Sequence, residues 1–320
     1  MKRFSLFVAA ALVLATGCRK IEIDGDSDND GGSGGGTPNN LVLSGRISED
    51  RTLTTGNTYK LRGIVYLVDG AKLTIQPGVT IQGEKSSRGT LVVTRGTQIL
   101  AEGTADRPIV FTSDAVTPTR GDWGGIVILG RARTNASFNN TPGVGEIEGG
   151  VNNAEGLGLY GGADDNDNSG ILKFVRIEYA GYAYLPDKEL NGLTLGGVGK
   201  GTTIDHVQVS FANDDSFEWF GGTVDAKHLI AYKGLDDDFD ADNGFNGRIQ
   251  FAISFRDSTV ADISGSNGLE IDNDAGGSTL TPQTAPTFSN LTLIGPRATA
   301  ANMGNSNYRR GMHLRRNTAT

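Results

Sequence analysis

Acidic side chains recur at matched positions in the second half of the chain. Phe217-Glu218-Trp219-Phe220 aligns with Phe239-Asp240-Ala241-Asp242 and with Leu269-Glu270-Ile271-Asp272. Read as strands, these place Phe217, Phe239 and Leu269, with Trp219, Ala241 and Ile271, on one side, facing a core. Glu218, Asp240 and Glu270 then form a file on the other side, with Phe220, Asp242 and Asp272 beside it. Neighbouring strands lie about 4.8 Å apart, so the carboxylates are expected to stack on a face open to solvent. At the preceding corner Asp214 and Asp215 align with Asp236 and Asp237. Like charges opposite one another destabilise a sheet, so such a column calls for a counter-charge.

Three sources of that charge are open. Glu218, Asp240, Asp242, Glu270 and Asp272 suit a hard cation such as Ca²⁺, which takes oxygen ligands in number. Alternatively, Gly311-Met312-His313-Leu314-Arg315-Arg316 aligns with Gly268-Leu269-Glu270-Ile271-Asp272-Asn273. That alignment sets His313 against Glu270 and Arg315 against Asp272, an internal ladder of structural meaning. Solvent counterions on a wet face are the third source. Neither Asp238-Phe239-Asp240-Ala241-Asp242-Asn243-Gly244 nor the stretch opening at Asp165 completes a helix-loop-helix calcium loop, because Ile249 and Arg176 stand where a closing glutamate belongs.

The elements that must hold these groups are legible in a self-repeat. The residues from His206 to Glu218 lie over those from His228 to Asp240 at an offset of 22. Related phrases begin at Phe174, Gln250 and Asn290. A fixed period of this length marks a solenoid, in which each repeat buries its apolar residues against its neighbours. Apolar residues alternate within each copy (Val175, Ile177; Val207, Val209; Leu229, Ala231; Phe251, Ile253), the period of a strand. About 22 residues suffice for one three-sided coil at ~3.3 Å per residue. The fold class expected is all-β, a parallel β-helix. The 47 glycines suit tight corners between short strands. The repeat runs through most of the chain, which argues for one folded domain over residues 41–320.

The ends read differently. Lys2 and Arg3 precede an apolar run over residues 4–14, and small residues lead to Cys18, the sole cysteine. A basic start, a short apolar core and a small-residue cleavage site form a secretory signal over residues 1–17. Leu14-Ala15-Thr16-Gly17-Cys18 is similar to a bacterial lipobox, which implies acylation of Cys18 and an outer-membrane anchor on the cell surface. Residues 18–40 are acidic and then Gly/Ser-rich, the composition of a flexible tether. Removing residues 1–17 takes away Lys2 and Arg3 and moves the formal charge from −8 to −10. Such a charge argues against nucleic acid as a partner. At the other end, Met312 and Leu314 are expected to point inward, with no polar closing segment after them. Solenoid ends need capping, so the sequence reads as a portion of a longer protein or one covered by a partner.

The early coils include Lys72-Leu73-Thr74-Ile75-Gln76-Pro77-Gly78-Val79-Thr80-Ile81, Pro108-Ile109-Val110-Phe111-Thr112-Ser113 and Gly121-Asp122-Trp123-Gly124-Gly125-Ile126. With the N-terminal anchor, these phrases resemble a family of Bacteroidota-type surface lipoproteins with a right-handed, pectin-lyase-like β-helix. The resemblance implies fold and envelope location, and carries no reaction with it. Such helices include lyases and hydrolases of acidic polysaccharides. A lyase would use Ca²⁺ with a basic residue, for which Lys227, Arg248 and Arg256 are candidates. A hydrolase would need paired carboxylic acids, for which Asp214, Asp215, Asp236 and Asp237 could serve. The Arg-x-Pro-x-x-Arg and Gly-His-Gly elements of those enzymes are absent. Ile204-Asp205-His206 resembles a pectate-lyase phrase, yet His228 recurs at the equivalent position and makes the histidine a repeat residue.

The reading favoured is therefore a non-catalytic binding or structural module, engaging a surface polysaccharide or a protein with Ca²⁺. Phe220 and Tyr232, read as lying on one exposed side, are its candidate stacking aromatics. Insertions at 131–170 and at 180–191, the latter with Tyr182, Tyr184 and Pro186, are loops where binding residues tend to sit.

Overall fold

The computed structural model describes residues 41–185, 188–297 and 304–319. The signal segment, Cys18 and the tether, together with Pro186, lie outside the described residues. A 19-stranded sheet, parallel throughout, winds through the chain as a parallel β-helix.

Each coil contributes three strand segments, so the helix has three faces. The first face stacks Arg51–Leu53, Lys72–Ile75 and Gln98–Glu102 under the leading halves of Gly170–Glu178, Thr203–Ser210, Ala226–Tyr232, Arg248–Phe255 and Thr287–Ile294. The trailing halves of those long strands continue the second face, begun by residues 42–44 and 58–61 and carried on by Thr80–Gly83 and Ile109–Ser113. The third face stacks Thr90–Val93, Gly125–Leu129, Leu193–Gly196, Phe217–Phe220, Phe239–Asp242, Leu269–Ile271 and His313–Leu314.

Period two explains the core. Along Phe217–Phe220 the odd residues point inward, and Phe217 stacks on Phe239 with ring centroids 5.5 Å apart. Trp219 stacks on Phe245 at the same separation. Each such aromatic contributes roughly 1.5–3 kcal/mol by leaving water.

The corner between the first and second faces is made by one residue per coil with positive φ: Phe174, His206, His228, Phe251 and Asn290, all near +55°. This corner corrects the reading of the fourth copy. His228 and Phe251 are equivalent, so Ala252 lies opposite Leu229 and points inward. Phe251 is 46% exposed. A one-residue slip in register exchanges the two sides of a strand, and the apolar alternation of Phe251 and Ile253 follows the outside.

The insertion at 131–170 packs onto the outside of the third face. Ile147, Val151 and Tyr160 join Val92, Val127, Leu129, Leu190 and Phe220 in a second apolar cluster. The approach is so close that a Cβ on Gly196 would meet the Tyr160 ring at 2.8 Å and Ile147 at 2.9 Å. The insertion also reaches along the helix axis: Thr134 Oγ1 donates to Asn243 O at 2.7 Å, and Asn135 Nδ2 donates to Asn273 O at 2.9 Å. In the second insertion Tyr184 OH shares a hydrogen bond with Thr90 Oγ1 at 3.1 Å, and the Arg88 guanidinium lies 4.5 Å from the Tyr182 ring. At the far end, Leu314 lies in register with the buried Ile271, on the core side as expected, yet the last coil's apolar residues Met312 and Leu314 stay open. They are 54% and 47% exposed, since among the described residues no further coil lies over them.

Candidate cation site

The third face aligns its outward residues as the repeat predicts. Glu218 lies opposite Asp240, Asp240 opposite Glu270, and Glu270 opposite His313. A second outward file runs Gly196, Phe220, Asp242, with Asp272 bonded to the Ala241 carbonyl beside it. Thr194, opposite Glu218, precedes it in the first file, and three residues before Thr194, Glu218, Asp240 and Glu270 stand the corner positions Asn191, Asp215, Asp237 and Asn267, at which backbone hydrogen bonds link coil to coil.

The environment of these files differs from the expected wet face. Glu218, Asp272 and Glu270 are 6%, 4% and 9% exposed. At Glu218 the physical reason is the covering insertion, which carries Tyr160 over Phe220 at 6.1 Å and closes the N-terminal half of the face, whereas Glu270 and Asp272 lie against His313, Arg315 and Arg316 of the last coil. Phe220 is thus a packing residue and offers no open ring to a ligand. Tyr232 lies elsewhere, half-buried in an aromatic file with Phe211 at 5.4 Å and Phe255 at 6.5 Å. The two aromatics do not share a side.

The corner and outward files converge. Carboxylate oxygens of Asp215, Glu218 and Asp240 all lie within 4.8 Å of one another, as do those of Asp237, Asp240 and Glu270, and of Asp214, Asp215 and Asp236. The residues assigned to a cation and those assigned to paired-acid hydrolysis therefore form one cluster, with Asp240 common to two groups. Asp242 and Asp272 stand to its side. Asp242 is capped by the Asn243 backbone N–H. Asp272 accepts from Arg315 Nε at 2.8 Å and pairs with Arg316 at 2.9 Å. His313 Nδ1 lies 3.2 Å from Glu270 Oε2, and Arg315 also pairs with Glu270. The last coil thus supplies the internal ladder, and the described ion pairs on this face reach Glu270 and Asp272 alone.

Burial and mutual repulsion leave the rest of the cluster short of positive charge. Burial first, then the neighbouring carboxylates, hold the acids of Asp214, Asp215, Glu218, Asp237 and Asp240 well above the usual carboxylate range. Asp236 is pushed up to about 6 and Asp242 to about 7, again chiefly by burial.

Four contributors escape the sequence reading. Asn191 Nδ2 donates to Glu218, and Asn267 Nδ2 donates to Glu270 at 2.8 Å. Both asparagines are 1% exposed, and the Oδ1 of each is enclosed without a hydrogen-bond partner, as is Asp240 Oδ1. The constant spacing of three in Asn191…Thr194, Asp215…Glu218, Asp237…Asp240 and Asn267…Glu270 is the signal that identifies the asparagines. Glu148 and Glu189, whose charges act on Glu218 and Asp214, come from the two insertions and follow no repeat.

Of the lyase bases, Lys227 and Arg248 do not meet this cluster, and Arg256 reaches it only at the backbone carbonyl of Asp236. Lys227 and Arg248 belong to the first face, near Asp205 (3.9 Å) and paired with Asp225 respectively. Arg256 is enclosed against Asp238 at 3.1 Å, both side chains without exposure.

A family model described as a pectate-lyase like beta helix domain matches residues 45–320. The chain belongs to that family. No curated protein and no solved structure matches it.

Proposed function

We propose that this member of the pectate-lyase-like β-helix family is a non-catalytic envelope module, anchored through Cys18, that binds a surface glycan or protein and is held together by Ca²⁺ on its third face. The observation that carries the cation is the set of enclosed, unpartnered oxygens, Asn191 Oδ1, Asn267 Oδ1 and Asp240 Oδ1, beside mutually repelling carboxylates. A buried acceptor without a donor costs about 1–3 kcal/mol, and a cation satisfies it. Asp215, Glu218, Asp240 and the Asn191 carbonyl would hold one side, Asp237, Glu270 and Asn267 the other. All-oxygen donors of mixed carboxylate and carbonyl type suit Ca²⁺. A non-catalytic role is favoured because the basic groups a lyase needs lie on another face or are enclosed.

Calcium titration followed by thermal melting tests the cation. At a hundred times the dissociation constant, the expected gain is about 2.7 kcal/mol by mass action. Asp240→Asn should blunt it. A melting curve indifferent to calcium and chelator would leave the cluster without its cation. Release of unsaturated or reducing ends from acidic polysaccharides by the purified protein would overturn the non-catalytic reading.

The anchor is supported by sequence: a sole cysteine after a signal-like segment and before an acidic tether. Cys18→Ala should move the protein from the membrane fraction to the soluble one. Retention in membranes after a high-salt wash would count against acylation at Cys18.

A further inference from the structure

A second cluster of ligand-type side chains lies at the corner between the first and second faces. His206 and His228 occupy equivalent positions in adjacent coils, and their rings stack with centroids 4.2 Å apart. Phe174 lies below them at 4.4 Å and Phe251 above at 5.2 Å. Both histidine Nδ1 atoms lie 2.7 Å from the same oxygen, Asp205 Oδ1. The ring edges face a groove of about 540 Å³ bordered by Arg176, Gln208 and Ile230. The histidine side chains are 41% and 37% exposed, while Asp205 is 14% exposed.

Packing alone does not call for this arrangement. Phenylalanine serves the same stacked position in the coils on either side, so the imidazoles add something that the ladder does not need. What they add is two nitrogens converging on a carboxylate.

We propose that Asp205, His206 and His228 bind a divalent transition metal, Zn²⁺ or Cu²⁺, at this corner, separately from the third-face cluster. Imidazole suits Zn²⁺ and Cu²⁺, and two histidines with one carboxylate form a recurrent ligand set that leaves further positions to water. Ligand atoms of the three residues already lie within 4.8 Å of one another. Zinc–nitrogen bonds run about 2.0–2.1 Å, so the half-exposed rings turn out of their near-parallel stack to aim both Nδ1 lone pairs at one ion. Each neutral ring then carries its proton on Nε2, leaving Nδ1 to the metal. Lys227 Nζ, 3.9 Å from Asp205 Oδ2, is the cation the metal displaces from the carboxylate. Arg176 is turned to Glu178 and does not contest the site.

The test uses the full chain at pH 7.5, with Zn²⁺ titrated by calorimetry and Cu²⁺ by electron paramagnetic resonance. One equivalent should bind, with copper coupled to two nitrogens. His206→Phe and His228→Phe preserve the stack, because Phe174 and Phe251 fill the equivalent places. Each should weaken Zn²⁺ binding about ten-fold or more, the lower edge of what losing a supporting contact costs. Lys227→Met should tighten binding. Asp240→Asn should leave Zn²⁺ binding unchanged, which separates this site from the calcium reading. Zinc affinity unaltered in the double His→Phe variant, or a copper spectrum without two nitrogens, would overturn the proposal.

Discussion

In chelator, the protein should melt at a lower temperature at pH 7.5 than at pH 5. Asp236 and Asp242 keep their protons in the folded state until about pH 6 and 7, whereas aspartate in an unfolded chain loses its proton near pH 4. Between those values the native state binds more protons than the unfolded state, so stability falls as pH rises. The more deeply buried Asp215, Glu218, Asp237 and Asp240 shift in the same direction and steepen the fall. Carboxylates shifted the other way do not cancel it. Asp257, lowered to about 2 by hydrogen bonds from Thr259, contributes stability that is lost only as pH drops through that value. Saturating Ca²⁺ should reverse the trend, because the cation replaces the protons and binds best where the carboxylates are ionised. A chelated protein whose melting temperature is flat or rises from pH 5 to 7.5 would contradict the charge-poor cluster on which the cation rests.

Arg256→Ala should destabilise the fold by about 3–5 kcal/mol, the usual result of stranding one partner of a buried ion pair. Arg256 and Asp238 have no side-chain exposure, and the guanidinium also donates to the Leu235 carbonyl at 3.0 Å. Tyr308 covers it, 5.0 Å from ring centroid to guanidinium. Asp238, already raised to about 6 by burial despite its partner, would then stay protonated at neutral pH or force water into the coil. Asp238→Asn in the same chain should recover part of the loss, since it removes the stranded charge. Chemical denaturation of the single and double variants measures both. A loss below 1 kcal/mol for Arg256→Ala would mean that water already reaches the pair. This arginine was a candidate base in the sequence; the structure gives it a wholly internal post.

The stacking of Glu218, Asp240 and Glu270, and the meeting of Glu270 with His313 and Asp272 with Arg315, follow from period two and repeat length, both written in the chain. The burial of the same residues does not. At Glu218 it depends on Ile147, Val151 and Tyr160, which sit in an insertion without periodicity, and nothing local announces which face such a segment covers. Phe251 was misread for a related reason. Its neighbours alternate correctly, but the alternation is that of the exposed side, and only the positive-φ corner shared with His206 and His228 fixes the register. Asn191 and Asn267 were legible in principle, through their spacing of three from Thr194 and Glu270. They escape a search restricted to carboxylates.

The insertion that covers the third face also sets an order of events. Its Asn135 bonds to the carbonyl of Asn273, 138 residues further along the chain. Neighbouring coils can stack as soon as each is complete, and Ile147, Val151 and Tyr160 can dock early on Val92, Val127 and Leu129, but Thr134 and Asn135 have no destination until the strands near Asn243 and Asn273 exist. Contacts of such long sequence separation form late and slowly. Thr134 and Asn135 must therefore wait while four later coils assemble, and the C-terminal part of the acidic face is wet throughout that interval. Closure is the step at which the carboxylates lose their water, so any cation they retain must arrive before the lid does.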